Sequence, residues 1–299
     1  EEEESDEEAL PELDAEGRVA GYAGIDHSTR SFANALPLDE TLRAALTRDC
    51  RLVFALNSSN WLAASAEPRC SLEAVARAIF DRHIGAASYD PASSGCEWWA
   101  QVRTSGDAAE AIEFHWDCDE YCCDRHDVHV SPALSSVTYL GDSGAPTLVL
   151  GVPSPHSASR DPAAAHGAIA AGALSYPSAG KHLVFDGRLL HGAVPTHTER
   201  APDVRRGALR VSFLVNVWLH HKPRGVEPLP AGLLPQLSTA LVGRRAERVL
   251  RALRNPAPPD RPTHARLAAA PRAAGGAAPR GGAPRAFAGG RVLEVALVS

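Results

Sequence analysis

Two histidines and one aspartate are the residues of this chain whose types and spacing most clearly suggest chemistry. His115 and Asp117 stand two positions apart after the strand-like run 111–114, and His191 follows the strand-like run 181–185. Alternate residues of a strand point to the same face, so His115 and Asp117 can converge on one ion. Two neutral imidazoles and one carboxylate form the facial triad that binds Fe(II) and leaves coordination positions open for substrates.

A second pair of polar residues lies further along the chain. Arg210 and Ser212 share one face of the stretch 208–218, whose apolar neighbours on both sides indicate a central, covered strand. The simplest alternative is an arginine on the surface of a strand. A buried guanidinium without a carboxylate partner is costly, however, and a bound dicarboxylate would supply that partner. An arginine beside a hydroxyl is therefore a candidate carboxylate receptor.

These residues, in this order, resemble the 2-oxoglutarate/Fe(II)-dependent oxygenases, and most closely a poorly characterised eukaryotic branch with a Glu-Trp-Trp segment. The resemblance covers about residues 96–222 and is carried by segments 97–103, 114–117, 137–147, 190–195 and 210–212. Eighteen residues separate His191 from Arg210, more than in the plant-type branch of that superfamily. The enlarged polar segment 196–207 therefore leaves Arg205 and Arg206 as alternative anchors.

The resemblance implies a role for each candidate residue. The two histidines and the aspartate would bind Fe(II), and Arg210 with Ser212 would bind the far carboxylate of 2-oxoglutarate. Tyr139 is a candidate second hydrogen-bond donor to that co-substrate, and packing with its hydroxyl at the rim is the alternative. The implied reaction uses O₂, forms succinate and CO₂ and most simply hydroxylates a substrate, with ascorbate as a supporting reductant. A protein side chain such as a peptidyl proline, a small metabolite and a lipid fit the triad equally well.

A rival metal site follows directly after the aspartate. Thiols and imidazoles at these intervals could hold zinc, and the candidates are Cys118, Cys122, Cys123, His126 and His129. Their spacing matches none of the usual paired-cysteine zinc patterns. The segment instead favours a mobile polar loop that covers the active site, with solvated acids at Asp119, Glu120, Asp124 and Asp127.

The pattern of short β-rich runs predicts the architecture. Such runs, broken by Gly, Pro, Asp and Ser, are typical of a β-sandwich or barrel, and they lie at 97–103, 111–116, 135–140, 146–151, 182–186 and 209–218. We expect a mainly β protein with flanking helices (α+β) and a double-stranded β-helix, or jelly-roll, core. Helices are predicted at 38–47, at 71–83 with Ser71 as the N-cap, and at about 233–253.

Composition divides the chain into three parts. We predict a disordered acidic arm at 1–17, a single domain at 18–254 whose jelly-roll core spans about 96–222, and a mostly disordered tail at 255–299 rich in Pro, Ala, Gly and Arg. The stretch 152–180 is expected to be a partly disordered insertion. Its His156 and His166 are expected to be exposed rather than to act as ligands.

Charge and composition favour some classes of partner and disfavour others. The net charge of −6 arises from the ends, because residues 1–17 contain ten acids and no base whereas the central domain is neutral. The absence of a basic face on that domain disfavours nucleic acid, and the acidic arm is a candidate partner-binding segment. No apolar run approaches the ~20 residues of a membrane span. Six irregularly spaced cysteines favour a reducing compartment, and hence the cytoplasm.

The sequence is compatible with three functions. A 2-oxoglutarate-dependent dioxygenase uses all the residues singled out above. A cupin-like binding or scaffold protein would keep the barrel without catalysis, but a structural metal would not need a receptor for a dicarboxylate. A zinc hydrolase on the same barrel ranks lowest, because no additional acid stands out as its general base.

Overall fold

The strands in the central part of the chain form two sheets, and helices pack against the first of them. The computed structural model describes residues 10–21, 23–105, 110–156, 171–193, 207–243, 246–255 and 258–260, together with the backbone of four strands between 263 and 297. Its strands are β1 (Arg30–Phe32), β2 (Asn60–Ala63), β3 (Gly95–Thr104), β4 (Ile112–His115), β5 (Leu134–Tyr139), β6 (Thr147–Pro153), β7 (Ala171–Ser175), β8 (His182–Asp186), β9 (Leu189–Ala193), β10 (Leu209–Trp218), β11 (Thr263–Ala268), β12 (Arg285–Ala288), β13 (Arg291–Glu294) and β14 (Ala296–Leu297). Its helices are α1 (Glu40–Phe54), α2 (Ser71–Ile84), α3 (Glu120–His126), a 3₁₀ helix (Ala231–Gln236) and α4 (Glu247–Arg254).

The strands form two antiparallel six-stranded sheets and a separate hairpin, β12–β13. The first sheet has the order β1-β8-β5-β10-β3-β2, and the second has the order β14-β11-β7-β6-β9-β4. Along the chain, β3 to β10 alternate between the sheets except where β6 is followed by its neighbour β7. This is the connectivity of an eight-stranded jelly roll, so the predicted fold class is confirmed.

The central strand β10 separates two environments. On one face, four apolar side chains pack against the helices that cover the first sheet: Val211, Phe213, Val215 and Val217. The other face carries Arg210 and Ser212 and looks toward the second sheet, where the guanidinium reaches Thr147 of β6. Covering by helices on one side and a second sheet on the other explains why residues on both faces of this strand are buried.

The six predicted β runs each correspond to a strand, but four further strands between residues 30 and 218 were missed. They are β1, β2, β7 and β9, which contain three to five residues each. Strand β7 lies inside the stretch predicted as a partly disordered insertion, and 157–170 lie outside the described residues, His166 among them. His156 is exposed, as predicted.

The helices predicted at 38–47 and 71–83 are present, but the end of the first and the N-cap of the second differ from the prediction. Helix α1 runs to Phe54, seven residues beyond the predicted end, and the side chain of Asp39 caps its first turn. Helix α2 begins at Ser71, and its N-cap residue is Cys70, so the prediction that Ser71 caps this helix is wrong. The Ser71 hydroxyl instead accepts a hydrogen bond from the Leu241 amide, 3.0 Å away.

The prediction of one helix over 233–253 is wrong. The region contains the 3₁₀ helix, which includes Pro235, and the separate helix α4. Gly243, between them, has a φ of +87°. Proline cannot donate the backbone hydrogen bond of a continuous α-helix, and a positive φ is incompatible with one, so the chain folds as two short helices.

Both chain ends depart from the predicted disorder where the structure describes them. The arm was predicted to be disordered to residue 17, yet 10–21 fold back on themselves through a bridge between Leu13 and Val19. Arg18 anchors this segment through its two contacts with Asp186, at 2.6 and 3.0 Å. In the tail, β11 pairs with β7 and extends the second sheet. Residues 1–9 lie outside the described residues. Among those that are described, no helix is both long and apolar enough to cross a membrane.

A buried histidine pair between α2 and the first sheet makes the stability of the fold depend on pH. The Nε2 atoms of His83 and His182 lie 2.9 Å apart, and Nδ1 of His182 lies 2.9 Å from the Thr138 hydroxyl. Burial lowers the pKa of His182 to about 3 and the pKa of His83 well below its ordinary range. Both rings are therefore neutral in the folded protein at neutral pH.

We expect the free energy of unfolding to fall as the pH drops below about 6.5, the ordinary pKa of an unfolded histidine. Between about pH 6.5 and pH 3, this histidine binds a proton in the unfolded chain, whereas the buried ring of His182 in the folded protein does not. Each such histidine therefore lowers the free energy of unfolding by about 1.4 kcal/mol for each pH unit. Urea unfolding between pH 7.5 and 5 measures the slope. His182→Gln should reduce the slope and His156→Gln, at an exposed position, should not. An unchanged slope in His182→Gln would contradict this explanation.

Candidate metal centre

The three candidate ligands meet at one end of the second sheet. Strands β4 and β9 are antiparallel neighbours, and their register places His115 directly opposite His191. Asp117 lies two residues after His115, just beyond the end of β4. Its Oδ1 lies 3.6 Å from Nε2 of His115, and its Oδ2 lies 3.6 Å from Nε2 of His191. One donor atom from each residue therefore falls within 4.8 Å of the other two, which is close enough to share an ion.

Hydrogen bonds turn both imidazoles toward the common centre. Nδ1 of His115 donates to the Glu113 carbonyl at 2.8 Å, and Nδ1 of His191 donates to the Leu189 carbonyl at 2.9 Å. A carbonyl can only accept, so each Nδ1 carries the proton and each Nε2 presents its lone pair to the centre. This is the outer arrangement that fixes the tautomer of metal-binding histidines.

The protonation state of the site suits a cation. Burial lowers the pKa of His191 to about 4, so the ring is neutral at physiological pH, and neutral imidazole is the form that binds metals. Asp117 is held by the Ser135 hydroxyl, which donates to its Oδ2 at 2.6 Å. Sequence analysis missed Ser135. The only signal was a pair of serines in an otherwise buried strand, and such a pair is common without function.

A cleft of about 660 Å³ opens beside these ligands. Its lining includes His115, Asp117, Glu97, Glu120, Asp124, Trp99, Trp116 and Tyr121. Burial raises the pKa of Glu97 to about 7, and its carboxylate accepts a hydrogen bond from the Trp218 indole at 2.9 Å. The cleft therefore offers carboxyl groups and aromatic faces to a molecule bound next to the candidate metal.

Arg210 lies in the interior with part of its guanidinium unpaired. It is 2% exposed, its Nε donates to the Ala145 carbonyl at 2.8 Å, and its Nη2 donates to the Thr147 hydroxyl at 3.2 Å. Among the described residues, neither its Nη1 nor the buried hydroxyl of Ser212 has a hydrogen-bond partner. Unpaired buried donors on one face of a strand fit a carboxylate ligand, because each carboxylate oxygen can accept from such groups.

Two further buried residues affect the pKa of Arg210. Burial lowers the pKa of Arg210, while the nearby Tyr139 and Glu110 oppose that shift. The Glu110 carboxylate accepts from the Ala145 amide, so it also holds the turn against which Arg210 packs. Glu110 was not singled out in the sequence, since nothing local marks it as close to an arginine one hundred residues away.

Tyr139 is fully buried rather than at the rim. Its hydroxyl lies 2.8 Å from the Thr147 hydroxyl and 3.0 Å from the Ser175 carbonyl. It stands opposite Ser212 in the register of β5 and β10. Thr147 thus contacts both Tyr139 and Arg210, and it connects the two residues predicted to receive a co-substrate. Arg205 and Arg206 lie outside the described residues.

A glycine makes room for the arginine side chain. Gly144 has a φ of +110°, and a Cβ built there would lie 2.5 Å from Cβ of Arg210 and 2.8 Å from its Cγ. Any other residue would therefore meet the stem of the arginine as well as an unfavourable backbone conformation.

The segment after Asp117 was predicted to be a mobile polar loop, which is wrong, because it contains helix α3. Asp119 was expected to be solvated and is instead fully buried at the start of this helix. Its carboxylate accepts from Nε2 of His221 at 2.8 Å and from the Arg224 amide at 3.1 Å. Glu120, Asp124 and Asp127 are exposed, as predicted.

Comparisons with known proteins find similarity among solved structures. No protein-family model and no curated protein matches the chain. A prolyl-4-hydroxylase from Pseudomonas putida is 17% identical over 66% of this chain and 89% of its own, with a TM-score of 0.38. The α-ketoglutarate-dependent carbocyclase SnoK of nogalamycin biosynthesis is 15% identical over 73% and 90%, with a TM-score of 0.40. The epimerase SnoN, solved with Fe³⁺, α-ketoglutarate and a nogalamycin compound, is 15% identical over 73% and 93%, with a TM-score of 0.38. These are likenesses of low identity, and the assignment of side chains to a site depends on the geometry given above.

Proposed function

We propose that this protein is an Fe(II)- and 2-oxoglutarate-dependent dioxygenase that hydroxylates a substrate bound in the cleft. The observation that carries the proposal is the combination of two sites in one jelly roll. Two imidazoles and a carboxylate converge at one end of β4 and β9, and a buried arginine with unpaired hydrogen-bonding capacity lies on β10. The first set fits Fe(II) and the second fits a carboxylate.

The residues of the chain would divide the work. His115, Asp117 and His191 hold the metal on one side and leave the remaining positions open. Arg210 and Ser212 bind the far carboxylate of 2-oxoglutarate and so orient its keto acid end. When bound, Fe(II), 2-oxoglutarate and O₂ supply an oxidative decarboxylation that gives succinate, CO₂ and one oxygen atom for the substrate. A substrate bound in the cleft would exclude water from this chemistry.

The substrate is not fixed by these residues. Because His115 and Asp117 line the cleft, a molecule in the cleft can bring a C–H bond to the open side of the metal. Either a protein side chain or a small molecule can be accommodated at a cleft of this size and exposure. The acidic arm remains a candidate segment for binding a partner, as proposed from its charge.

Succinate formation tests the proposal directly. The full chain is incubated with Fe(II), ascorbate and 2-oxoglutarate, and succinate is quantified without a prime substrate, since uncoupled turnover is expected. Addition of Zn²⁺ in place of Fe(II) should give none, because zinc has no redox chemistry. A folded protein that binds stoichiometric Fe(II) and 2-oxoglutarate yet forms no succinate, with or without a library of candidate substrates, would favour the cupin-like binding protein.

The proposal predicts a specific effect of Gly144→Ala. The added methyl group meets Cβ of Arg210 and displaces the guanidinium from its position between Ala145 and Thr147. We expect the Kd for 2-oxoglutarate to rise about tenfold or more, because losing a hydrogen bond to a charged group costs about 1.5–3 kcal/mol. Gly151→Ala is the matched control, since a Cβ there meets nothing within 4 Å. Equal affinities in both variants would contradict the role given to Arg210.

A further inference from the structure

The structure sorts the cysteines and histidines that follow Asp117 into separate groups. Cys118, Cys123 and His129 bring two Sγ atoms and one ring nitrogen within 4.8 Å of one another. Cys122 belongs to a different group, because its Sγ lies within 4.8 Å of ligand atoms of Asp119 and His221, and its side chain packs with Trp61 and Trp218. The fifth candidate, His126, instead contacts the ring of Tyr121.

We propose that Cys118, Cys123 and His129 bind a zinc ion at a second metal site, beside the candidate iron centre and distinct from it. Two thiolates and one imidazole are a ligand set that zinc prefers, and the softer sulfur donors distinguish this site from the two imidazoles and carboxylate next to it. Binding replaces the two thiol protons, which pass to solvent, so the bound unit of Zn²⁺ and two thiolates is neutral overall.

Local backbone structure explains why these three residues converge. Asp119 accepts from the Cys122 amide and starts helix α3, which places Cys123 in the first turn, next to Cys118. The Asp119 amide also donates to the Val130 carbonyl at 2.8 Å. This hydrogen bond places the neighbouring residues His129 and Cys118 side by side. The buried partners of Asp119 described above therefore fix the start of the helix and, with it, the geometry of the cluster.

Neighbouring side chains restrain the imidazole ring of His129. Its Nδ1 lies 3.3 Å from the Ser131 hydroxyl, which in turn lies 3.1 Å from the Ser154 hydroxyl. The edge-to-face contact with Trp116, with centroids 6.0 Å apart, restrains the ring further. Hydrogen bonding at one ring nitrogen leaves the other for the metal, as is usual for histidine ligands.

A zinc ion here would act on the substrate cleft. Three protein ligands leave the fourth tetrahedral position to water. The ion would tie α3 to the segment around His129, and α3 carries Tyr121 and Asp124, which line the cleft. The site would thus fix the part of the cleft wall that α3 provides.

Metal analysis in a variant that lacks the neighbouring site tests the proposal. In full-length Asp117→Ala, equilibrated with Zn²⁺ and freed of excess, we expect about one zinc per chain by mass spectrometry. The added substitution Cys123→Ser should remove it. The added substitution Cys122→Ala, which deletes the adjacent thiol instead, should retain it, and circular dichroism verifies that each variant is folded.

Cobalt substitution provides a spectroscopic readout of thiolate ligation. Co²⁺ added to the wild-type chain and to Cys122→Ala should give the near-ultraviolet charge-transfer band of thiolate ligation. The two imidazoles and carboxylate next door cannot produce this band, and its presence in Cys122→Ala excludes the group of Asp119, Cys122 and His221 as its source. Absence of that band, zinc retained in Cys123→Ser, or zinc lost equally in Cys122→Ala would overturn the proposal.

Discussion

Asp117→Ala is expected to abolish both stoichiometric Fe(II) binding and succinate formation. Asp117 supplies the only carboxylate of the triad, and its oxygens lie 3.6 Å from the Nε2 atoms of His115 and His191. Removing it leaves two neutral imidazoles, which cannot compensate the charge of the ion. Loss of an outer partner of a metal ligand already costs about 10–100-fold in affinity, so loss of the ligand itself should cost at least about a hundredfold.

Anaerobic titration with Fe(II) measures this loss of iron affinity, and two further variants should show smaller losses. Asp117→Glu should be milder than Asp117→Ala, because an oxygen ligand survives at altered reach. Ser135→Ala should weaken iron binding only within the range expected for an outer partner, since it deletes the hydrogen bond to Oδ2 and no ligand. Full iron stoichiometry in Asp117→Ala, with the protein folded, would rule out the triad.

The part of the site that depends on local spacing was predictable from the sequence. His115 and Asp117 fall on one side of the chain because they are two residues apart near the end of a strand. Arg210 and Ser212 share a face of β10 for the same reason. His191 was grouped with His115 and Asp117 because of its residue type and the strand-like run 181–185 before it, but β9, on which it lies, was not predicted as a strand. Its pairing with β4 is a long-range contact that no local pattern reveals.

The parts that sequence analysis missed are set by such long-range contacts. The acidic residues after Asp117 favoured a solvated loop, but Asp119 is buried because His221 and Arg224 reach it from a hundred residues away. The same contacts decide which thiols of that segment converge. Likewise, a period of apolar residues over 233–253 favoured one helix, and Pro235 and Gly243 divided it. Local propensity decides that a segment can be a helix or a loop, whereas burial decides which of its side chains meet.

Arg210→Ala is expected to raise the Kd for 2-oxoglutarate strongly and to leave iron affinity nearly unchanged. The guanidinium is fully interior, and the atoms free to receive a ligand are its Nη1 and the hydroxyl of Ser212. Losing a charge-assisted pair in a shielded site should cost on the order of 2–5 kcal/mol, which is roughly thirtyfold or more. Arg210→Lys should recover only part of this, since an ammonium cannot reproduce the planar fork. Ser212→Ala should cost about 1 kcal/mol, as expected for one neutral donor.

Because Arg210 also holds Ala145 and Thr147, its removal could weaken the fold as well as the binding of 2-oxoglutarate. A thermal unfolding curve of each variant separates the two effects, and Fe(II) titration serves as the internal control for an intact site. Arg205→Ala and Arg206→Ala are the matched variants, because they remove the same charge from the segment that the sequence left as an alternative. If either of these raises the Kd while a folded Arg210→Ala does not, the anchor belongs to that segment, and the buried guanidinium is structural.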